Sequence, residues 1–209
     1  MFRVLHETYI RKTKKSLRFC GKNVCIESGV IFKHPERISI GNNVCLRSGC
    51  KIYAQDASTS ENLIRIPYIM IGDGAHIKEN VVLNTYGGFI SLGKNANIGQ
   101  NSVIYAQGGV EIGDDSGIAP LSFIIAANHV SEDVTMATKS QGEIKKGIKL
   151  ANNVVCSGGT IICDGVEIGE NAIIGAGSVI RRNIPKNAVA FGNPAQIAYI
   201  RKDCHGKDE

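Results

Sequence analysis

One histidine, His129, is placed for proton chemistry. It lies in the longest departure from an otherwise regular chain, and a neutral imidazole near pH 7 can take a proton from a hydroxyl. Loops projected from a rigid scaffold commonly carry function. Asn128 reads equally as a group that orients the ring or as a turn residue. Glu132, Asp133 and Glu143 share the loop, and spacing does not choose among them as a partner for the imidazole. Further on, Arg181, Arg182, Arg201 and Lys202 offer the charge that phosphates bind, and each reads also as a solvated surface group. No metal site is expected. His6, His34, His76, His129 and His205 lack the spacing of convergent zinc ligands, and the seven cysteines contain no CxxC pair and no disulfide framework. They read as reduced structural thiols.

What must position these groups is a beat of six. Leu150, Cys156, Ile162, Ile168, Ile174 and Ile180 fall on it, a period that suits neither a helix nor a simple half-buried strand. It suits a coil that turns a corner after every short strand, a solenoid. Earlier triplets repeat it: Ile40, Leu46, Ile52; Ile71, Ile77, Leu83; Leu92, Ile98, Ile104; Ile112, Ile118, Ile124. Three hexads make one triangular coil, so the interruptions between triplets leave from one edge of the prism. Triplets open with IGNN, IGDG, LGKN, IGDD, LANN and IGEN, residues that tolerate left-handed backbone at a corner. A second inward row, Val44, Ala75, Ala96, Val154, Ala172 and Ser178, follows four residues after the beat.

The chain has 209 residues, 43% of them hydrophobic and 21% charged, with no apolar run long enough to span a membrane and no signal-like start. A folded cytoplasmic protein is expected. The +5 net charge lies entirely in residues 1–18, with six bases against Glu7. With Phe2, Leu5 and Tyr9 at helical spacing, residues 1–19 read as a helical cap over the open end of the solenoid, or as a basic helix that touches an anionic membrane. Nucleic acid is not expected as a partner, because aromatic and basic residues do not interleave on the repeats. The expected domains are this cap, a repeat domain over 20–202 with insertions at about 53–70 and 125–149, and a tail at 203–209.

The repeats, the segment IAPLSFIIAANH (118–129), the run from Leu150 to Pro185 and VAFGNPAQIAYIRK (189–202) resemble the hexapeptide-repeat acyltransferases. Within them the resemblance is to the group containing sugar and antibiotic O-acetyltransferases. It implies an all-β, left-handed parallel β-helix, acetyl-coenzyme A as donor, and a homotrimer with active sites between subunits. It also implies a carbohydrate hydroxyl as acceptor, in capsule, O-antigen or related polysaccharide synthesis. By the same resemblance His129 is the general base, the amide of Gly158 an oxyanion donor, and Ser157 and Ala176 contacts for the pantetheine arm. Arg181, Arg182, Arg201 and Lys202 then face the nucleotide of coenzyme A.

The chain departs from many relatives where Val155 stands in place of a tryptophan. N-acetylation of a nucleotide-linked amino sugar is the alternative activity, and a non-catalytic scaffold is a further one.

Overall fold

Aliphatic residues at a spacing of six and left-handed corners between them close the chain into a prism. The computed structural model describes residues 2–56 and 68–202, excepting the side chains of residues 2–7. It is a left-handed parallel β-helix. The first wall runs from Phe19–Cys20 to Glu167–Ile168, the second from Cys25–Ile26 to Ala188–Gly192, and the third from Ile31–Lys33 to Val179–Ile180. Register follows the beat: Ile40 pairs with Ile71, Ile71 with Leu92, Leu92 with Ile112, Ile112 with Leu150, and Leu150 with Ile168. These ladders and the second inward row from Val44 to Ser178 are buried in one continuous core. Each large aliphatic contributes about 1.5–3 kcal/mol on burial, so coils stabilise one another by stacking.

The corner between first and second walls shows why asparagine recurs. Asn23, Asn43, Asn95, Asn153, Asn171 and Asn187 hold φ between 55° and 60° there. Their side chains also bond along the prism, Asn153 Nδ2 to Asn171 Oδ1 at 2.9 Å and Asn171 Nδ2 to Asn187 Oδ1 at 3.0 Å. Asparagine combines tolerance of left-handed backbone with an amide that can both donate and accept.

Both ends of the prism are closed. Along the walls each coil donates N–H groups to the carbonyls of the next, as in Cys25 to Val44 and Ile31 to Cys50, so carbonyls of the first coil need other donors. The helix Phe2–Ser16 supplies two of them: Lys14 Nζ donates to the Val24 carbonyl at 2.6 Å, and the Tyr9 hydroxyl to that of Val30 at 3.0 Å. Thr13 and Leu17 are buried and Ile10 packs on the core, so the helix lies against the first coil; the side chains of Phe2 and Leu5 lie outside the described residues. At the far end Ala195–Ile200 turns back antiparallel on Ala188–Gly192 and covers the last edge.

The chain leaves the third wall after Tyr53 and re-enters the first at Tyr68; it does the same between Ile125 and Ile148. Both insertions therefore leave from one corner. Tyr68, Ile69 and Met70 are strand, paired with Phe89, Ile90 and Ser91, so the wall extends into the range read as insertion. Residues 57–67 and the expected tail 203–209 lie outside the described residues.

Candidate active site

His129 stands on a short arm built by the second insertion. Asn128–His129 pairs antiparallel with Glu143–Ile144, with Asn128 opposite Ile144 and His129 opposite Glu143. The turn beyond is closed by Gln141, whose Nε2 donates to the carbonyls of Asp133 (2.7 Å) and Met136 (3.1 Å) and whose Oε1 accepts the Asp133 N–H (3.0 Å). The Thr135 hydroxyl and N–H donate to Asp133 Oδ1 and hold that carboxyl below its ordinary value. Asp133 thus shapes the turn, whereas Glu143 is the loop carboxylate in register with His129. The imidazole is exposed, and no side chain among the described residues hydrogen-bonds it. Glu143 Oε2 lies 3.4 Å from Lys145 Nζ.

The root of the arm is pinned by Asp164, whose carboxylate accepts N–H bonds from Lys146 (3.0 and 2.9 Å) and Gly147 (2.8 Å). The arm therefore leaves a fixed point at the corner between third and first walls. A cleft of about 470 Å³ opens beside it on the first wall, bounded by Phe89, Glu111, Lys149 and Glu167.

Gly158 and Ala176 lie at a different corner, between the second and third walls. Because Cys156 and Ile174 are register partners, Gly158 and Ala176 occupy the same place in consecutive coils. The Ser157 N–H donates to Ile174 and the Gly159 N–H to Pro120. Among the described residues nothing accepts from the amides of Gly158 or Ala176, and a Cβ on Gly158 would meet only the Pro120 carbonyl, at 3.4 Å. Two unbonded amides therefore stand about one strand spacing, 4.8 Å, apart along one edge.

Beside them is Leu121, which the sequence reading passed over. It is 68% exposed at φ 61°, at the position held in other coils by Gly29, Gly49, Asn80, Asn101, Gly159 and Gly177. The signal was present in the sequence as a leucine at a corner where the other coils carry glycine or asparagine.

The basic residues divide. Arg181 and Arg182 follow Ile180 at the arm's corner, and Arg181 sits close enough to Cys163 to offset part of the rise that burial gives that thiol. Arg201 is at the first-to-second corner, where its N–H donates to the Asn187 carbonyl at 2.8 Å and its guanidinium to that of Asn171. Lys202 follows it on the last described residue.

A single prism does not place His129 and Gly158 at one corner, for the third wall runs between them. Outward on that wall is a column of Ile31, Lys51, Val82, Val103, Phe123, Ile161 and Val179, in which one residue of the seven is charged. Ile31, Phe123 and Ile161 are at least one-third exposed. Val155, at the tryptophan position of many relatives, points outward on the second wall and is exposed. Among the described residues no helix is long and apolar enough to cross a membrane.

A family model described as the hexapeptide repeat of succinyl-transferase matches residues 89–119 and 157–182. The chain is 32% identical over 146 residues to the galactoside O-acetyltransferase of Escherichia coli K12, covering 69% of this chain and 70% of that protein. Among solved structures it is similar to a mutant of AntD, an N-acyltransferase from Bacillus cereus in complex with dTDP and coenzyme A, with a TM-score of 0.59 at 21% identity over 92% of this chain and 89% of that one. It is also similar to a hexapeptide-repeat acetyltransferase from Vibrio cholerae complexed with acetyl-coenzyme A, with a TM-score of 0.53 at 20% identity over 95% and 79%. At such identities the solved structures establish the fold.

Proposed function

The chain belongs to the hexapeptide-repeat acetyltransferases, and from that premise we propose that it transfers acetyl from acetyl-coenzyme A to a carbohydrate hydroxyl with His129 as general base. The observation that carries this reading is the pair of unbonded amides at Gly158 and Ala176, on the corner across the third wall from the His129 arm. The imidazole takes the hydroxyl proton as the sugar oxygen attacks the thioester carbonyl. The oxyanion that forms accepts from the Gly158 N–H, a donor fixed before the reaction starts. Collapse of the intermediate breaks the C–S bond, and the imidazolium returns its proton to the departing thiolate.

This chemistry needs both corners at one place. Copies of the chain packed in parallel through the apolar column of the third wall would bring the arm corner of one copy to the Gly158 corner of the next, and three copies close the arrangement as a homotrimer. In that groove the pantetheine arm runs beside Ser157 and Ala176, while Arg181 and Arg182 of the neighbouring copy meet the phosphates. Arg201 and Lys202 lie a corner away and contribute long-range charge.

The test is acetyl-coenzyme A turnover against galactosides, maltose and a nucleotide-linked amino sugar. An alkali-labile ester on a sugar hydroxyl, lost in His129→Ala, supports the proposal. An alkali-stable amide on the amino sugar, formed equally well by His129→Ala, would establish the N-acetyltransferase reading in its place.

A further inference from the structure

On the outward side of the second wall, far from the Gly158 corner, three ligand-bearing side chains converge. Cys25 and Cys45 are register partners on adjacent strands, and Glu27 follows Cys25 by two residues on the same face. Their two sulfurs and a carboxylate oxygen all lie within 4.8 Å of one another. Sulfurs bound to one tetrahedral zinc ion by bonds of about 2.3 Å stand roughly 3.8 Å apart, so small rotations about χ1 suffice to close the site. We propose that Cys25, Cys45 and Glu27 bind one thiophilic divalent cation of the Zn²⁺ class, clipping the first coil to the second.

The surroundings suit this ligand set. The Arg47 guanidinium lies 2.5 Å from Glu27 Oε1, and the Ser48 N–H donates to Oε2 at 2.9 Å. These outer partners orient the carboxylate and leave lone pairs on it for a metal. Two thiolates, one carboxylate, a dication and the Arg47 guanidinium sum to zero charge. Thiolate ligands select zinc, cadmium and cobalt over magnesium and calcium. The same column continues beyond Cys45 with His76, which is not part of the cluster, so the fourth position is left to water. Binding displaces both thiol protons, M²⁺ + 2 RSH → M(SR)₂ + 2 H⁺, and affinity therefore rises with pH.

The site is distinct from the acetyl-transfer machinery and is tested without it. The full chain, reduced with a phosphine in metal-free buffer, is titrated with Co²⁺. A sulfur-to-cobalt charge-transfer band saturating at one ion per chain and bleached by Zn²⁺ is expected. Cys25→Ser and Cys45→Ser should each abolish the band, and Glu27→Gln should weaken affinity at least about tenfold. Cys163→Ser, on another wall, should change nothing. Both cysteines point outward, so the serine variants keep the core, and an unchanged circular dichroism spectrum verifies that. Absence of the band in the parent chain, or its persistence when both Cys25 and Cys45 are serine, overturns the proposal.

Discussion

His129 and Gly158 stand at opposite corners of the third wall of one prism, the first on an arm rooted at Asp164 and the second at a stacked corner beside Pro120. If acetyl transfer uses both, each active site draws them from two copies. Gly158 shares its place in the coil with Pro120, because Ile118 and Cys156 are register partners. Gly158→Pro therefore removes the amide donor at a position where the fold already accepts proline. Its kcat should fall by about 10²–10³, the usual cost of an oxyanion donor. Mixing unfolded Gly158→Pro and His129→Ala chains and refolding them together should restore roughly a quarter of parent activity, since one interface in four then pairs an intact arm with an intact corner. No recovery in a mixture shown to contain mixed trimers would mean that the two residues act within one chain or not together.

If His129 is the general base, His129→Ala should lower kcat by about 10²–10⁴ with the oligomeric state and coenzyme A affinity unchanged, because an imidazole in that role acts on the proton and not on the donor. Glu143→Gln is expected to cost less than His129→Ala, since Glu143 stands opposite His129 in the ribbon but pairs with Lys145 and makes no hydrogen bond to the ring. Steady-state kinetics with sedimentation of each variant checks both. Equal losses in the two variants would assign Glu143 a direct part.

For the donor nucleotide, Arg181→Ala combined with Arg182→Ala should raise the KM for acetyl-coenzyme A while leaving kcat nearly alone, as contacts made equally in ground and transition states do. Arg201→Ala should instead lower Tm, because its guanidinium holds the Asn171 carbonyl at the closing end. A KM effect confined to Arg201→Ala would move the phosphates to the first-to-second corner.

Acid stability follows from the corners. Asp73 accepts the Asn42 N–H at 2.7 Å and the Asn42 side-chain amide, and these bonds hold its carboxyl below the ordinary value. A lowered folded-state pKa gives stability that is complete above the ordinary carboxylate range and is lost as pH falls through the lowered value. Asp73→Ala should therefore have a lower Tm than the parent at pH 7, with the gap closing as the parent's carboxylate protonates. Thermal melts across the acid range measure it, and a gap constant with pH would show that the loss is one of packing.

How much of this could be read beforehand depends on what each feature requires. The ladders from Ile40 to Ile168 were legible because a period of six suits a coil with a corner after every short strand, and the hydrophobic effect enforces it at every step; the left hand came from the resemblance and not from the spacing. The separation of His129 from Gly158 was legible too, by position in the triplet: the arm follows Ile124, a third member, and Gly158 follows Cys156, a second. The meeting of Cys25 with Cys45 follows the same rule, since each precedes a second member, Ile26 or Leu46, across a join with two extra residues between Phe32 and Ile40. Arg201 and Arg182 stand at different corners, because the antiparallel return after Gly192 carries Arg201 to the first-to-second corner, a placement that spacing in the repeats does not encode.

Leu121 offers the sharpest separation of stability from function. An L-residue with a side chain loses about 1–2 kcal/mol in left-handed backbone, and Leu121 holds φ 61° with its side chain 68% exposed, so packing within its own chain does not offset that loss. Asn101, one coil earlier, shows that asparagine fits this corner, and it already accepts the Asn80 amide at 3.2 Å. Leu121→Asn should therefore relieve the strain and extend the amide ladder, raising Tm by about 2–4 °C for each kcal/mol recovered in a chain of this size. Leucine at this place makes sense if its exposed side chain covers the pantetheine arm or the acetyl group beside the Gly158 amide, in which case the same variant should raise the KM for acetyl-coenzyme A. A higher Tm with unchanged KM would leave the strain without a functional partner. A lower Tm that depends on protein concentration would show that Leu121 is instead buried by the adjoining copy.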